Sequence, residues 1–167
     1  MVRRLLADDA AIYRDIRLEA LKAHPEAYGA SYEGVADRPE SYFADSIGKL
    51  DIFGAFIGER QVGLAAFVRN EGRKQEHIGH LIQMYVRPEA RGSGFGLRLV
   101  EHVIAHATPL VEQLLLGVAT ENAPAIRLYE KAGFEVYGTE PRALRVGGRY
   151  IDEYLMVRFL EGTRKEE

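Results

Sequence analysis

Two groups of residues in this 167-residue chain have types and spacings that can do chemistry. The first is Arg91-Gly92-Ser93-Gly94-Phe95-Gly96, following the apolar run Met84-Tyr85-Val86 and a turn at Pro88. Its three glycines strip the loop of side chains and permit positive φ, so several backbone N–H groups can converge on one point. A helix starting at about Phe95 would add the positive end of its dipole, and Arg91 a full charge. That combination describes a cradle for a pyrophosphate. The second group is Asn122 and Tyr129, seven residues and so two helical turns apart, which brings an amide and a phenol to nearly one helix face together with Ile126.

Two familiar nucleotide loops do not fit the first group. A phosphate-binding loop of the Gly-x-x-x-x-Gly-Lys-Ser/Thr type needs a lysine, and none follows Gly96. A dinucleotide fingerprint needs a third glycine where Leu97 stands, and belongs at the first strand of a βαβ unit rather than mid-chain. A tight strand-to-helix turn with no ligand is the structural alternative.

The elements that must position these residues follow from periodicity. A strand is expected over residues 2–6, then a helix capped by Asp8, with Ile12, Ile16, Ala20 and Leu21 on one face and an end near His24 before Pro25. Residues 26–37 have no clean period. A second helix is expected from Pro39 to about Ile47, closed by Gly48. Residues 51–57 and 62–68 read as a hairpin, and residues 77–86 as a central strand apolar on both faces. The helix over 94–107 follows the glycine loop, then a strand over 114–119. Asn122 caps a helix through Ala132 that Gly133 closes, and a final hairpin turns at 145–150. Residues 161–167 form a charged, frayed tail. The order β-α-α-β-β-β-α-β-α-β-β fits one mixed α/β domain with helices on both faces of its sheet.

Composition narrows the setting. A net charge of −3 and 28% charged residues give no general pull toward nucleic acid or an anionic membrane. No apolar run approaches the ~18 residues of a span, and the start lacks the apolar core of a signal peptide. The absence of cysteine excludes disulfides and thiol chemistry, the five scattered histidines form no metal motif, and no serine sits beside an obvious base for a covalent acyl-enzyme. A cytoplasmic protein without metal is expected.

The loop Arg91-x-x-Gly94-x-Gly96 resembles the coenzyme A pyrophosphate loop of the GCN5-related N-acetyltransferase (GNAT) superfamily. The segment Asn122-Ala123-Pro124-Ala125-Ile126-Arg127-Leu128-Tyr129-Glu130-Lys131-Ala132-Gly133-Phe134 is similar to that superfamily's Asn-x-x-Ala-x-x-Leu-Tyr-x-x-x-Gly-Phe. The resemblance covers residues 77–137, the half that would bind acetyl-CoA, with residues 1–50 supplying substrate-side helices. It implies a mostly antiparallel sheet whose central parallel strands splay to admit the pantetheine arm. It also implies that Met84, Tyr85 and Val86 meet that arm through their backbone. Arg91, Gly92, Ser93, Gly94, Phe95 and Gly96 would hold the pyrophosphate, Asn122 would bond the arm, and Tyr129 would protonate the leaving thiolate.

The resemblance leaves the base open. Two glutamate positions used in the superfamily correspond here to His80 and Gly117, which points to His80, with Gln83 or a water relayed from Glu33 or Glu76 as alternatives. Substrate selection would fall to the first helices and last hairpin, here Tyr28, Tyr32 and Glu33 among others. The implied activity is direct transfer of acetyl from acetyl-CoA to a primary amine of a small molecule. A protein N-terminal or lysine acetyltransferase and a non-catalytic acyl-CoA sensor are the alternatives. A homodimer is also implied by the resemblance.

Overall fold

A computed structural model of the chain describes residues 1–161; the tail expected at 161–167 lies, after Glu161, outside the described residues. Seven strands form one sheet in the order β1-β2-β3-β4-β5-β7-β6: β1 Val2–Arg4, β2 Asp51–Ile57, β3 Arg60–Arg69, β4 Ile78–Val86, β5 Gln113–Ala119, β6 Glu135–Val146 and β7 Arg149–Phe159. All neighbours pair antiparallel except β4 and β5. The expected mixed, mostly antiparallel α/β sheet with a central parallel pair is the observed one. β7 enters between β5 and β6, so the last described strand lies directly beside β5 and β6 takes the edge.

Helices cover both faces. On one, α4 (Phe95–Ala107) buries Phe95, Leu99, Val100, Val103, Ile104 and Ala107, and α5 (Ala123–Lys131) buries Tyr129. Each large side chain so buried stabilises the fold by about 1.5–3 kcal/mol. On the other face, α1 (Ala10–Ala23), the single-turn α2 (Tyr32–Val35) and α3 (Glu40–Lys49) pack on Ile52, Leu64, Ala66 and Tyr85. Close approach calls for glycine at positions that include 63 and 79. A Cβ on Gly63 would stand 2.7 Å from Leu99 Cδ1, and one on Gly79 would stand 2.4 Å from Phe67 Cε2.

Several local expectations are corrected. β1 stops at Arg4, and α1 is entered through a 3-10 turn at Ala7–Asp9. Asp8 does not cap it; the Asp9 carboxylate accepts from Leu6 N–H at 2.8 Å while bridging Arg3 at 2.8 Å. The 3-10 turn moves the start of α1 one residue later, so Asp9 takes the cap position and turns its carboxylate back to Leu6 and Arg3 and away from the helix. Pro39 precedes α3 as its cap instead of opening it, and the helix runs through Gly48.

The functional consequence of this architecture lies where β4 leaves β5. Their ladder holds only Ile78↔Gln113, Gly79↔Leu114 and His80↔Leu115. Gln83 then adopts φ +57°, a left-handed value rare outside glycine, and the β3–β4 register slips between Leu64 and Ala66. This is a β-bulge, which bends a strand and turns it from its neighbour. Beyond it the two strands part.

Candidate active site

The parting of β4 and β5 opens a cleft of about 1290 Å³, lined by α1, the segment 24–29, β4, the glycine loop, the start of α4, β5, α5 and Glu153 of β7. It is comparable to or larger than ordinary small-ligand pockets of roughly 300–1000 Å³. Tyr28, Met84, Tyr85, Val86, Arg91, Gly92, Gly94, Phe95, Gly96, Asn122 and Tyr129 all line it. Ser93, Tyr32, Glu33 and His80 do not.

The reasons differ. His80 sits at the last hydrogen-bonded pair of β4 and β5, before any gap exists; it is half-buried, and burial lowers its imidazole below the ordinary histidine value. Tyr32 and Glu33 lie on α2, where Tyr32 meets Lys22 of α1, Nζ 5.5 Å from its ring centroid. Ser93 is exposed between two left-handed glycines.

At one end of the cleft Gly92 and Gly94 hold φ of +79° and +80°, with open space where a Cβ would stand. The first bond of α4 runs from Arg98 N–H to Gly94 C=O at 3.1 Å, so the N–H groups of Phe95, Gly96 and Leu97 have no partner within the helix. Such a terminus suits an anion. Arg91 reaches across the same mouth, Nε donating to Val86 C=O at 3.0 Å and the guanidinium 5.8 Å from the Tyr85 ring. A pyrophosphate fits this cradle.

Tyr129 projects from α5 with its ring edge-on to Phe134 at 6.0 Å and is 7% exposed. Burial alone drives its hydroxyl well above the ordinary tyrosine range, so it keeps its proton at neutral pH. Asn122 does double duty: it lines the cleft, but its Oδ1 accepts from Ala125 N–H at 3.2 Å as the cap of α5. That bond leaves the amide nitrogen as the free donor.

The opposite wall belongs to the α1 face. Glu19 holds α1 against β4, accepting from Tyr85 Oη at 2.8 Å and facing Arg87 at 3.5 Å; burial first, and then Glu19, pushes the Tyr85 hydroxyl up to about 12. Tyr13 Oη donates to Gln83 Oε1 at 2.8 Å, pinning the bulge. Tyr28 Oη donates to Met84 C=O at 2.8 Å. Leu114, Leu116 and Val118 point toward α4 and α5, so Gly117 faces the other way, toward this wall.

Against Gly117 stands a carboxylate that sequence reasoning missed. A Cβ at 117 would lie 3.2 Å from Glu153 Oε1, so the absent side chain leaves the room that Glu153 occupies from the neighbouring strand. Burial, and secondarily Glu140, raises the Glu153 carboxyl above the usual glutamate value. No local signal in the last hairpin announces it; only the insertion of β7 beside β5 brings it here.

With this geometry in place, comparisons with known proteins agree. The Acetyltransferase (GNAT) family matches residues 11–134. Mycothiol acetyltransferase of Streptomyces scabiei is 31% identical over 137 residues, 80% of this chain and 42% of that protein. The L-methionine sulfoximine/L-methionine sulfone acetyltransferase of Pseudomonas aeruginosa is 32% identical over 82 residues, 48% of each chain. This chain thus spans less than half the length of these curated relatives. The structure of a Salmonella typhimurium putative acetyltransferase with its cofactor acetyl-CoA superposes with a TM-score of 0.80 at 20% identity, covering 100% of this chain and 97% of that one. The family match over residues 11–134 takes in the parted strands, the glycine loop and Tyr129, and the chain belongs to the GNAT family of acetyltransferases.

Proposed function

We propose that this protein transfers the acetyl group of acetyl-CoA directly to a primary amine of a small molecule. The observation that carries the reading is the single cleft between β4 and β5. It has an anion cradle at one end, a protonated phenol on one wall and a carboxylate on the other. The acetyl-CoA held in the solved neighbour supports the donor, and the substrates named for the matched relatives support a small acceptor.

Bound acetyl-CoA would supply an activated acyl group whose C–S bond breaks as the C–N bond forms. Arg91 and the N–H groups at the start of α4 would hold its pyrophosphate, and the backbone of Met84, Tyr85 and Val86 its arm. The acceptor arrives as an ammonium at neutral pH and must lose a proton. Glu153 takes that proton; its raised carboxyl is a stronger base than an exposed glutamate. A backbone N–H at Tyr85 or Val86 stabilises the charge growing on the carbonyl oxygen. Tyr129 gives its proton to the departing sulfur and is restored by the second proton, which the nitrogen sheds as the amide forms. His80, outside the lining, takes no step.

The reading is tested by following thiol release from acetyl-CoA across amines, peptides and no acceptor, with coenzyme A binding measured in parallel. Release that depends on a small amine is expected. Release with peptides alone would make the acceptor a protein. Tight binding with no release on any acceptor would leave a sensor in place of an enzyme.

A further inference from the structure

Arg17 is the unusual residue on the acceptor wall. It lies on α1, is 8% exposed, and lines the cleft beside Tyr28 and Gln83. A guanidinium cannot shed its proton in a protein, so this is a permanent charge taken out of water. Such groups are ordinarily paired, because an uncompensated buried charge opposes folding strongly.

Arg17 has no carboxylate partner among the described residues. Its Nη1 is buried without a hydrogen bond among the described residues. The groups close enough to act on its charge are three phenols, Tyr13, Tyr28 and Tyr42. Burial raises the hydroxyls of Tyr13 and Tyr28, so both stay neutral. The guanidinium also lies over the Tyr28 ring, 5.2 Å from its centroid, an attraction weaker than a carboxylate would provide. The nearby carboxylate of α1, Glu19, is committed to Tyr85 and Arg87.

Tyr28 ties this charge to the reaction centre. Its ring faces Arg17, its hydroxyl is bonded to Met84 C=O on the bulged strand, and it is near enough to Tyr129 for the two phenols to influence one another. Among the described residues, the cleft lining thus includes one buried unpaired cation, Arg17, and one half-buried carboxylate, Glu153, which together are the complement of a zwitterion. One isolated guanidinium in an aromatic setting suits a monoanion; a phosphate dianion would call for further cations. The remaining arginines of the lining are engaged elsewhere, Arg91 with Val86 C=O and Arg149 with Glu121.

We infer that Arg17 is the anchor for a carboxylate on the acceptor, so that the amines this protein acetylates are carboxylate-bearing, α-amino acids being the simplest class. The inference rests on the acetyltransferase reading of the same cleft. Its fork would receive the carboxylate while the ammonium faces Glu153, and the substrate itself would supply the counter-ion that the fold withholds.

The test compares each common L-amino acid with its own carboxamide, by thiol release at saturating acetyl-CoA and by thermal stabilisation of the coenzyme A-loaded protein. The amide keeps the amine and side chain and removes the negative charge; its amine is also less basic, which favours the neutral nucleophile and so works against the expected preference for the acid. At least one acid is expected to exceed its amide by about 10²-fold or more in kcat/KM, and to raise Tm where the amide does not. Arg17→Gln should bring that ratio to within about tenfold through KM, with coenzyme A affinity unchanged. Arg17→Lys, which keeps the charge and loses the fork, should fall between them and serves if the glutamine variant does not fold. Amides used as well as acids, or a preference that survives Arg17→Gln, would overturn the inference while leaving the transferase intact. No turnover with either set would overturn the Arg17 inference if the thermal arm also shows no stabilisation by any carboxylate-bearing amine, while the transferase reading is decided separately by the wider panel of amines and peptides.

Discussion

Tyr129→Phe is the most informative single change, because the structure separates its chemical effect from its structural one. The substitution removes one oxygen and leaves the ring, which keeps its edge-on contact with Phe134 at 6.0 Å and its place in the α4–α5 core. Burial is what raises the hydroxyl, and it makes no side-chain hydrogen bond among the described residues, so none is lost with it. Stability should then move by no more than about 0.5 kcal/mol, or less than ~2 °C in Tm for a chain of this size. Loss of a positioned general acid slows the step by about 10²–10⁴-fold, which is ~3–5 kcal/mol of transition-state stabilisation. The assay is steady-state thiol release with a saturating amine, run beside calorimetric titration of coenzyme A and a thermal melt. A fall in kcat with unchanged affinity and Tm is expected. Wild-type kcat would refute the acid role, and a Tm loss of many degrees would show that the hydroxyl serves packing instead.

Further outcomes follow from the same geometry. Glu153→Gln should lower kcat/KM about 10²-fold at neutral pH and erase the acid limb of the pH–rate profile that its carboxyl sets. Because burial raises the folded carboxyl above its unfolded value, its contribution to stability is present below the ordinary glutamate range and lost as pH rises through the folded value. The glutamine variant should therefore melt about 1–3 °C higher than wild type at pH 7.5 and no higher near pH 4, checked by parallel melts. Gly94→Ala places a side chain at φ +80° and strains the cradle by about 1–2 kcal/mol, so the KM for acetyl-CoA should rise roughly tenfold with little change in kcat. Gly79→Ala drives a Cβ to 2.4 Å from the Phe67 ring in the closed core, and denaturant unfolding should report a loss of about 1–3 kcal/mol.

What could be read from the chain was what is local in it. The glycine loop, the Asn122 cap, Tyr129 and the closing Gly133 lie within short segments, and each behaves as its residue types dictate, with α4 beginning at Phe95 and α5 ending before Gly133 at φ +90°. The bulge was not legible, because the left-handed residue is Gln83 and no glycine marks it; tertiary contacts, including the bond from Tyr13, hold it there. Glu153 was hidden for a topological reason, since β7 reaches β5 only by passing inside β6. Arg17 was hidden because a charge on an amphipathic helix ordinarily faces water, whereas here tertiary packing, the Tyr28 ring included, buries it. His80 drew notice by its position relative to Arg91, yet that count runs along a strand still paired at that point.

The central claim is direct transfer from thioester to amine, and product stoichiometry measures it most plainly. The protein is mixed with acetyl-CoA and an accepted amine, quenched within a turnover, and the amine, the free thiol and the intact protein are weighed by mass spectrometry. Equal amounts of acetylated amine and free thiol, with the protein's mass unchanged at every time point, are predicted. Thiol released without acetylated amine, or an acetylated protein that forms and decays ahead of the product, would contradict the account.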